Sequence, residues 1–308
     1  MTDATYFVLL NANAGTADSV GVTAEMIGSL FAANGLTAIV DADSERDLTT
    51  RIESAMASEA SIIVAAGGDG TITALAAALV GSDKSLAILP LGTVNALAKD
   101  LQIPLDLPAA VAALTTGTHR RIDVGEVNGR VFLHKVVVGL IPELAAGREH
   151  IRGRYDLSAK IGFLRYFFRR LMRAKRIAVA IEHDDGGRRV ERVQAIAVAS
   201  NAYDEGVGQF FSRHRLDGGT LTLYILRHLT AGDFFRLTTG MLLGHWKSDE
   251  ALSMETVKGV TIDAHKPMLN VMFDGEIETL RTPLAFTIRP QALSVIVPAP
   301  TTVPAEAA

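Results

Sequence analysis

The stretch SIIVAAGGDGTITALAAALV, residues 61–80, decides how the first half of the chain is read. Ser61 to Ala66 has the unbroken apolar character of a buried strand, and Thr71 to Val80 is an alanine-rich helical run. Gly67, Gly68 and Gly70 would weaken either element from within, so they form the turn between them. That places them at the carboxyl end of a parallel strand, where open α/β sheets bind ligands. Glycine there permits close backbone approach or positive φ, and the first amides of the following helix point at whatever occupies the turn. A phosphate group is the natural occupant, although tight strand-to-helix turns also use glycine for purely steric reasons, and it is the carboxylate that favours the phosphate reading. Asp69 lies among the glycines and would repel phosphates unless a divalent cation stood between them, as Mg²⁺ does in phosphoryl-transfer sites.

The same grammar extends in both directions. TYFVLLN and TAIVDA read as strands and residues 17–33 and 47–58 as helices; SLAILPLG is a further strand, with a helix starting near Val94. Strands separated by helices imply a parallel sheet with right-handed crossovers. At LPLGTVN, residues 89–95, a second strand runs into Gly92, Thr93 and Asn95 at a helix start. Two neighbouring loops of this kind suggest one shared phosphate site.

After Asp123 the pattern changes to alternating strands with Asn128-Gly129 and Asp274-Gly275 turns, which reads as an antiparallel β-sandwich with a helical insert at about 143–174. The expected domains are therefore 1–125, α/β, and 126–287, β-sandwich. The last strand, about 288–300, is a candidate to rejoin the first domain.

Composition narrows the chemistry. The absence of cysteine removes disulfides, thiolate zinc sites and thiol nucleophiles. The eight histidines show no metal-ligand spacing, and a net charge of -4 argues against a nucleic-acid partner. No apolar run is long enough for a membrane span and the N-terminus has no basic leader, so the expected location is cytoplasmic. Neither a Walker-type loop nor a G-x-G-x-x-G strand end is present.

GGDGT at 67–71 followed by LPLGTVN at 89–95 resembles the diacylglycerol kinase catalytic-domain family, which includes bacterial lipid kinases and sphingosine kinases. LLNANAG, RRIDVGEVNGRVFLH and VMFDGE are similar to that family's first strand, domain junction and C-terminal Asp-Gly-Glu, in the same order. The resemblance implies a two-domain kinase using ATP and Mg²⁺ on a lipid alcohol, its first domain like those of NAD kinase and phosphofructokinase. It assigns Asn11, Gly15, Gly67, Gly68, Asp69, Gly70, Thr71, Gly92, Thr93 and Asn95 to nucleotide binding. Glu276 becomes the general base, with Asp274 beside it. Asp123 and Asp69 join the acidic network that places the metal, and Asp217 is the nearest counterpart of a structural metal ligand.

The resemblance extends to NAD kinase, which shares GGDGT, so an NAD kinase-like enzyme stays open; the chain departs from the pattern at Ala12, Thr73-Ala74, Ala96 and Gly218, and Ala74, Ala96 and Gly218 keep open a catalytically weak lipid- or nucleotide-binding protein. Asp274 and Asp217 also read as turn residues, and Asp123 as a cap or ion-pair partner. Residues 147–176 form a basic amphipathic pattern, with Arg165, Arg169, Arg170, Arg173 and Arg176 opposite Ile161, Phe163, Leu164, Phe167, Phe168, Leu171 and Met172. Such a helix packs on the second domain with a solvated basic face, or lies peripherally on an anionic inner-membrane surface. Oligomeric state is not legible.

Overall fold

The computed structural model describes residues 6–11, 21–139, 176–184, 186–207 and 211–299. The chain forms two compact units, Met1–Ile122 with Gln291–Ala308, and Asp123–Pro290. Most of the basic pattern at 147–176, together with Gly15 and residues 17–20, lies outside the described residues.

In the first unit strands and helices alternate: β1 (Tyr6–Leu10), α1 (Ala24–Ala33), β2 (Ala38–Asp41), α2 (Leu48–Ala57), β3 (Ile62–Gly67), α3 (Asp69–Leu79), β4 (Ser85–Pro90), α4 (Ala96–Asp100) and α5 (Leu107–Ala113). β1, β3 and β4 are buried along their whole length, which is why they read as apolar runs rather than alternating ones. They pair in parallel in the order β2-β1-β3-β4. Short polar side chains start the helices: Thr23 accepts from the Met26 amide, Asp47 from Thr50 and Asp106 from Ala109. The extended backbone of Thr23 starts α1 at Ala24.

The second unit contains β5 (Thr118–Val127), β6 (Arg130–Phe132), β7 (Lys135–Gly139), β8 (Ile177–His183), β9 (Arg188–Val193), β10 (Ala195–Ser200) and β11 (Leu221–Leu226). It continues through α6 (Ala231–Leu243), β12 (Leu252–Val257), β13 (Gly259–Ala264), β14 (Met268–Phe273), β15 (Glu276–Arg281) and β16 (Leu284–Val297). The chain passes between units within β5 and again within β16, whose Val295 pairs in parallel with Leu86 of β4 in the first unit.

Within the second unit, β16, β13, β8 and β9 pair antiparallel, and a second antiparallel sheet has the order β12-β11-β10-β7-β14-β15. Val136, Val138, Ile196 and Val198 of one sheet meet Val179, Ile181, Val260 and Phe286 of the other in a single buried cluster. This is a β-sandwich core. Its hairpins use the expected turns, with positive φ at Asn128-Gly129 and Asp274-Gly275.

On the outer face of the second sheet, α6 packs Leu237 against Leu226 and Leu252. Thr230 and Asp233 form a reciprocal cap at its start. Gly244 ends it at φ 76, and a Cβ there would strike the Gly206 backbone at 2.6 Å.

Candidate active site

Three adjacent strand ends build the phosphate candidate in the first unit. The register pairs Leu10 with Ala66 and Gly67 with Pro90, so β1, β3 and β4 finish at one level. Asn11 leaves β1 by donating its backbone N–H to Ala66 O at 2.8 Å, and its side-chain amide donates to Thr71 Oγ1 at 2.9 Å. Gly68 is the N-cap of α3, and no side chain caps that end. The leading amides of this eleven-residue helix are therefore available to an anion.

Asp69 joins the two glycine loops. Its Oδ2 accepts from the Asn95 amide at 3.0 Å and its Oδ1 from the Ala96 amide at 2.7 Å. Asn95 adopts the left-handed conformation, φ 51, which an Asn tolerates better than most side chains. Its side chain then closes the second loop on itself, accepting from Gly92 N at 2.9 Å and donating to Gly92 O at 2.8 Å. That conformation delays α4 to Ala96, two residues beyond the expected start. Thr93 is exposed at the loop tip.

The glycines serve proximity rather than unusual φ. None of Gly67, Gly68, Gly70 and Gly92 has positive φ. A Cβ on Gly92 would stand 2.8 Å from Gly68 Cα, and one on Gly67 would stand 2.9 Å from the Thr71 side chain. Glycine is required where the two loops touch each other.

Sequence reasoning missed Arg51, which lies on the inward face of α2 and is only 5% exposed. Its Nη2 donates to the carbonyls of Leu10 and Asp41 at 2.7 Å each, and its Nε pairs with Asp41 Oδ1 at 3.2 Å. It fixes the end of β1 beside Asn11. The signal was an arginine one helical turn before the buried Ala55, where the pattern calls for an apolar residue.

The second unit carries the other acidic residues. Asp274 is the first turn residue of the β14–β15 hairpin, and its carboxylate accepts backbone N–H from Leu133 at 2.7 Å, His134 at 2.8 Å and Lys135 at 2.9 Å. Such bonding anchors the hairpin to the segment entering β7. Glu276 follows as the exposed first residue of β15. Asp123 is buried, and its Oδ2 accepts from Gly219 N at 2.6 Å. Asn201 Oδ1 accepts from Gly218 N at 3.0 Å, while Asp217 faces Arg215 at 3.8 Å on the surface. The turn at 217–219 is thus held by amide hydrogen bonds.

Among the described residues no three His, Asp or Glu side chains gather as a metal-ligand set. A cage made of protein ligands alone does not fit them. Mg²⁺ held by phosphates and water with one carboxylate nearby is a different case. Asp69 meets that requirement, since each of its oxygens keeps a lone pair beyond the amide it accepts from.

Comparison with known proteins agrees with this architecture. Residues 5–127 match the family model described as diacylglycerol kinase catalytic domain, and residues 148–297 match the YegS C-terminal NAD kinase beta sandwich-like domain. A protein of Pseudomonas aeruginosa named "Probable lipid kinase YegS-like" is 34% identical over 253 residues, 80% of each chain. A diacylglycerol kinase of Bacillus subtilis is 28% identical over 240 residues, covering 75% of this chain and 76% of that one. A crystal structure of a diacylglycerol kinase from Bacillus anthracis superposes with a TM-score of 0.68 at 19% identity, covering 98% of this chain and 100% of that one, which supports the fold.

Proposed function

Because the chain belongs to the diacylglycerol kinase catalytic-domain family, we propose that it transfers the γ-phosphoryl group of ATP to a hydroxyl of a diacylglycerol-like or other lipid alcohol. The observation that carries the proposal is the Asp69 clasp, which makes the uncapped start of α3 and the Gly92–Asn95 loop one preorganised shelf of amides. Phosphoryl transfer depends mainly on positioning and on charge stabilisation, and a rigid set of N–H donors supplies both.

In this reading Asn11 and Thr71 order one side of the shelf through their mutual hydrogen bond. Mg²⁺, when bound, neutralises phosphate charge, with Asp69 as the carboxylate beside it. Glu276, exposed beyond the anchored hairpin, takes the proton from the acceptor hydroxyl. Asp274 is a positioning residue, since three amides engage its carboxylate. Asp123 orders the 216–219 turn through its amide and carboxylate.

The test is incubation with γ-labelled ATP, Mg²⁺, added NAD and a total lipid extract. Label in a lipid is expected. Label on NAD, or only in inorganic phosphate, would overturn the lipid-kinase reading.

A further inference from the structure

Arg213 is one of the largest side chains that the protein buries completely, with 1% of it exposed. A guanidinium keeps its charge inside a protein, so its surroundings have to supply hydrogen-bond acceptors and negative charge. Nη1 donates to Leu133 O at 2.8 Å and to Ser200 O at 2.7 Å. Ser200 N donates in turn to His134 O at 3.0 Å, so one cation ties the end of β10 to the segment entering β7. Negative charge is reached through a single peptide group. Leu133 C=O and His134 N–H belong to the same peptide; the guanidinium holds its oxygen, and Asp274 Oδ1 accepts from its N–H at 2.8 Å. A cation at one end and an anion at the other polarise the peptide between them, and each strengthens the bond of the other.

The turn that follows Arg213 has unusual chemistry for its place. The resemblance implies a structural divalent cation here, and the residues do not fit one. Gly218 stands at the ligand position, and Asp217 faces Arg215 on the surface. The Gly218 N–H donates to Asn201 Oδ1 at 3.0 Å, which fixes the other end of that side chain as its NH₂. This Nδ2 is buried and has no protein partner. A group that can only donate repels a cation and suits a water molecule. A Cβ at position 218 would stand 2.7 Å from Asn201 Oδ1, so any side-chain ligand there would displace the Gly218–Asn201 bond. Asp123 Oδ2 is engaged in the same way, by the Gly219 N–H at 2.6 Å. A Ca²⁺ or Mg²⁺ site gathers oxygens, whereas this turn gathers N–H donors.

We propose that Arg213 is a built-in cation: it orders residues 213–219 and the Asp274 hairpin in place of a structural divalent cation, and thereby positions Glu276. Arg213 anchors the start of the segment and Asn201 holds its end. Ordering without metal stands on these contacts alone; the consequence for Glu276 rests on the lipid-kinase reading above.

Hydrogen exchange across residues 130–137 and 213–222, read by mass spectrometry, reports on this region without any catalytic step. The wild-type protein is expected to show the same protection in EDTA as with Mg²⁺ or Ca²⁺. Arg213→Met keeps the length and loses the charge. It should speed exchange in both segments by about tenfold or more, whichever cation is present, and lower kcat by a similar factor at unchanged KM for ATP. Arg213→Lys, which still donates to carbonyls, should recover most of both losses, whereas a packing role predicts that Met serves as well as Lys. Protection that the wild type gains from Mg²⁺ or Ca²⁺ would overturn the proposal, as would rescue of Arg213→Met by either cation, or a folded Arg213→Met with wild-type exchange and turnover. Should Arg213→Met fail to fold, Arg213→Lys is expected to fold in EDTA, and a requirement for added cation would be equally fatal. Exchange does not depend on phosphate transfer, so cation-independent exchange without a labelled lipid refutes the kinase reading alone. A labelled lipid with cation-dependent exchange refutes the built-in cation alone.

Discussion

Asp69→Asn separates two roles that a carboxylate beside phosphates could have, structural clasp and metal partner. The native side chain accepts two amide hydrogen bonds, at 2.7 and 3.0 Å, and both are charge-assisted. Asn offers a single acceptor oxygen, so one of the Asn95 and Ala96 amides loses its partner and faces an NH₂ group. Hydrogen bonds to a charged group contribute about 1.5–3 kcal/mol each, and an amide left without an acceptor costs about 1–3 kcal/mol. Asp69 is only half-buried and water can reach part of the gap, so we take a value below the top of both ranges, about 2 kcal/mol. That corresponds to a fall in melting temperature of about 5 °C for a unit of this size, and to about thirtyfold weaker ATP binding if the nucleotide must restore the shelf. Urea unfolding of the ligand-free protein and calorimetric titration of ATP, with Mg²⁺ and in EDTA, provide the assay. A clasp predicts both losses, with the affinity loss persisting in EDTA. An unchanged urea midpoint with an affinity loss confined to Mg²⁺ conditions would refute the clasp and leave Asp69 as a metal partner.

Glu276→Gln is expected to lower turnover by ~10² to 10⁴ while ATP still binds, whereas Asp274→Ala should lower the melting temperature as well as the rate. Pre-steady-state turnover alongside thermal unfolding distinguishes them, and full turnover in Glu276→Gln would move the base elsewhere. Replacing Arg165, Arg169 and Arg173 by Gln is expected to weaken sedimentation with anionic vesicles by about 1 kcal/mol per charge near the surface; indifference to both substitution and salt would instead favour a helix packed on the protein. Arg236 holds the Asp249 carboxyl below its ordinary range through hydrogen bonds at 2.7 and 2.8 Å. A depressed acid stabilises the fold above its unfolded pKa, about 3.9, and that contribution disappears as pH falls through the lower folded value. The stability gap between wild type and Arg236→Gln should therefore be present at pH 6 and close below pH 4; a gap that persists at low pH would show that packing, not charge, holds α6.

The parallel half was readable because β1, β3 and β4 are buried on both faces, so their composition alone identifies them. The antiparallel half was readable from its turns, since Asn128-Gly129 and Asp274-Gly275 supply the positive φ that two-residue hairpins require. What sequence could not show is the contact between loops. On sequence alone Gly67 and Gly92 fit either space for a ligand or the sterics of a tight turn, and in the structure both make space for protein: a Cβ on Gly92 would meet Gly68, and one on Gly67 would meet Thr71. That the two loops are neighbours is implied by the two motifs, but the direct approach of Gly68 to Gly92 follows from the register of β3 on β4, which no spacing of residues along the chain encodes.

Trp246 marks the same limit at the opposite end of the problem. FFRLTTGMLLGHW reads as one packed amphipathic helix, yet Gly244 ends α6 in the left-handed conformation and Trp246 lies beyond it, against Tyr224. In β10, AIAVAS, Ala195, Ala197 and Ala199 leave small residues on one face of the strand. Small residues alone, however, predict close packing as readily as a void. Beneath α6 lies a cavity of about 280 Å³, and it is made by elements distant in sequence: Leu237 and Met241 come from α6, Met272 from β14 and Lys135 from β7. Periodicity reports what each element presents, whereas a cavity is what several elements fail to fill together. The glycine shelf, whose pieces are local motifs, was therefore legible in the sequence, and the cavity was not.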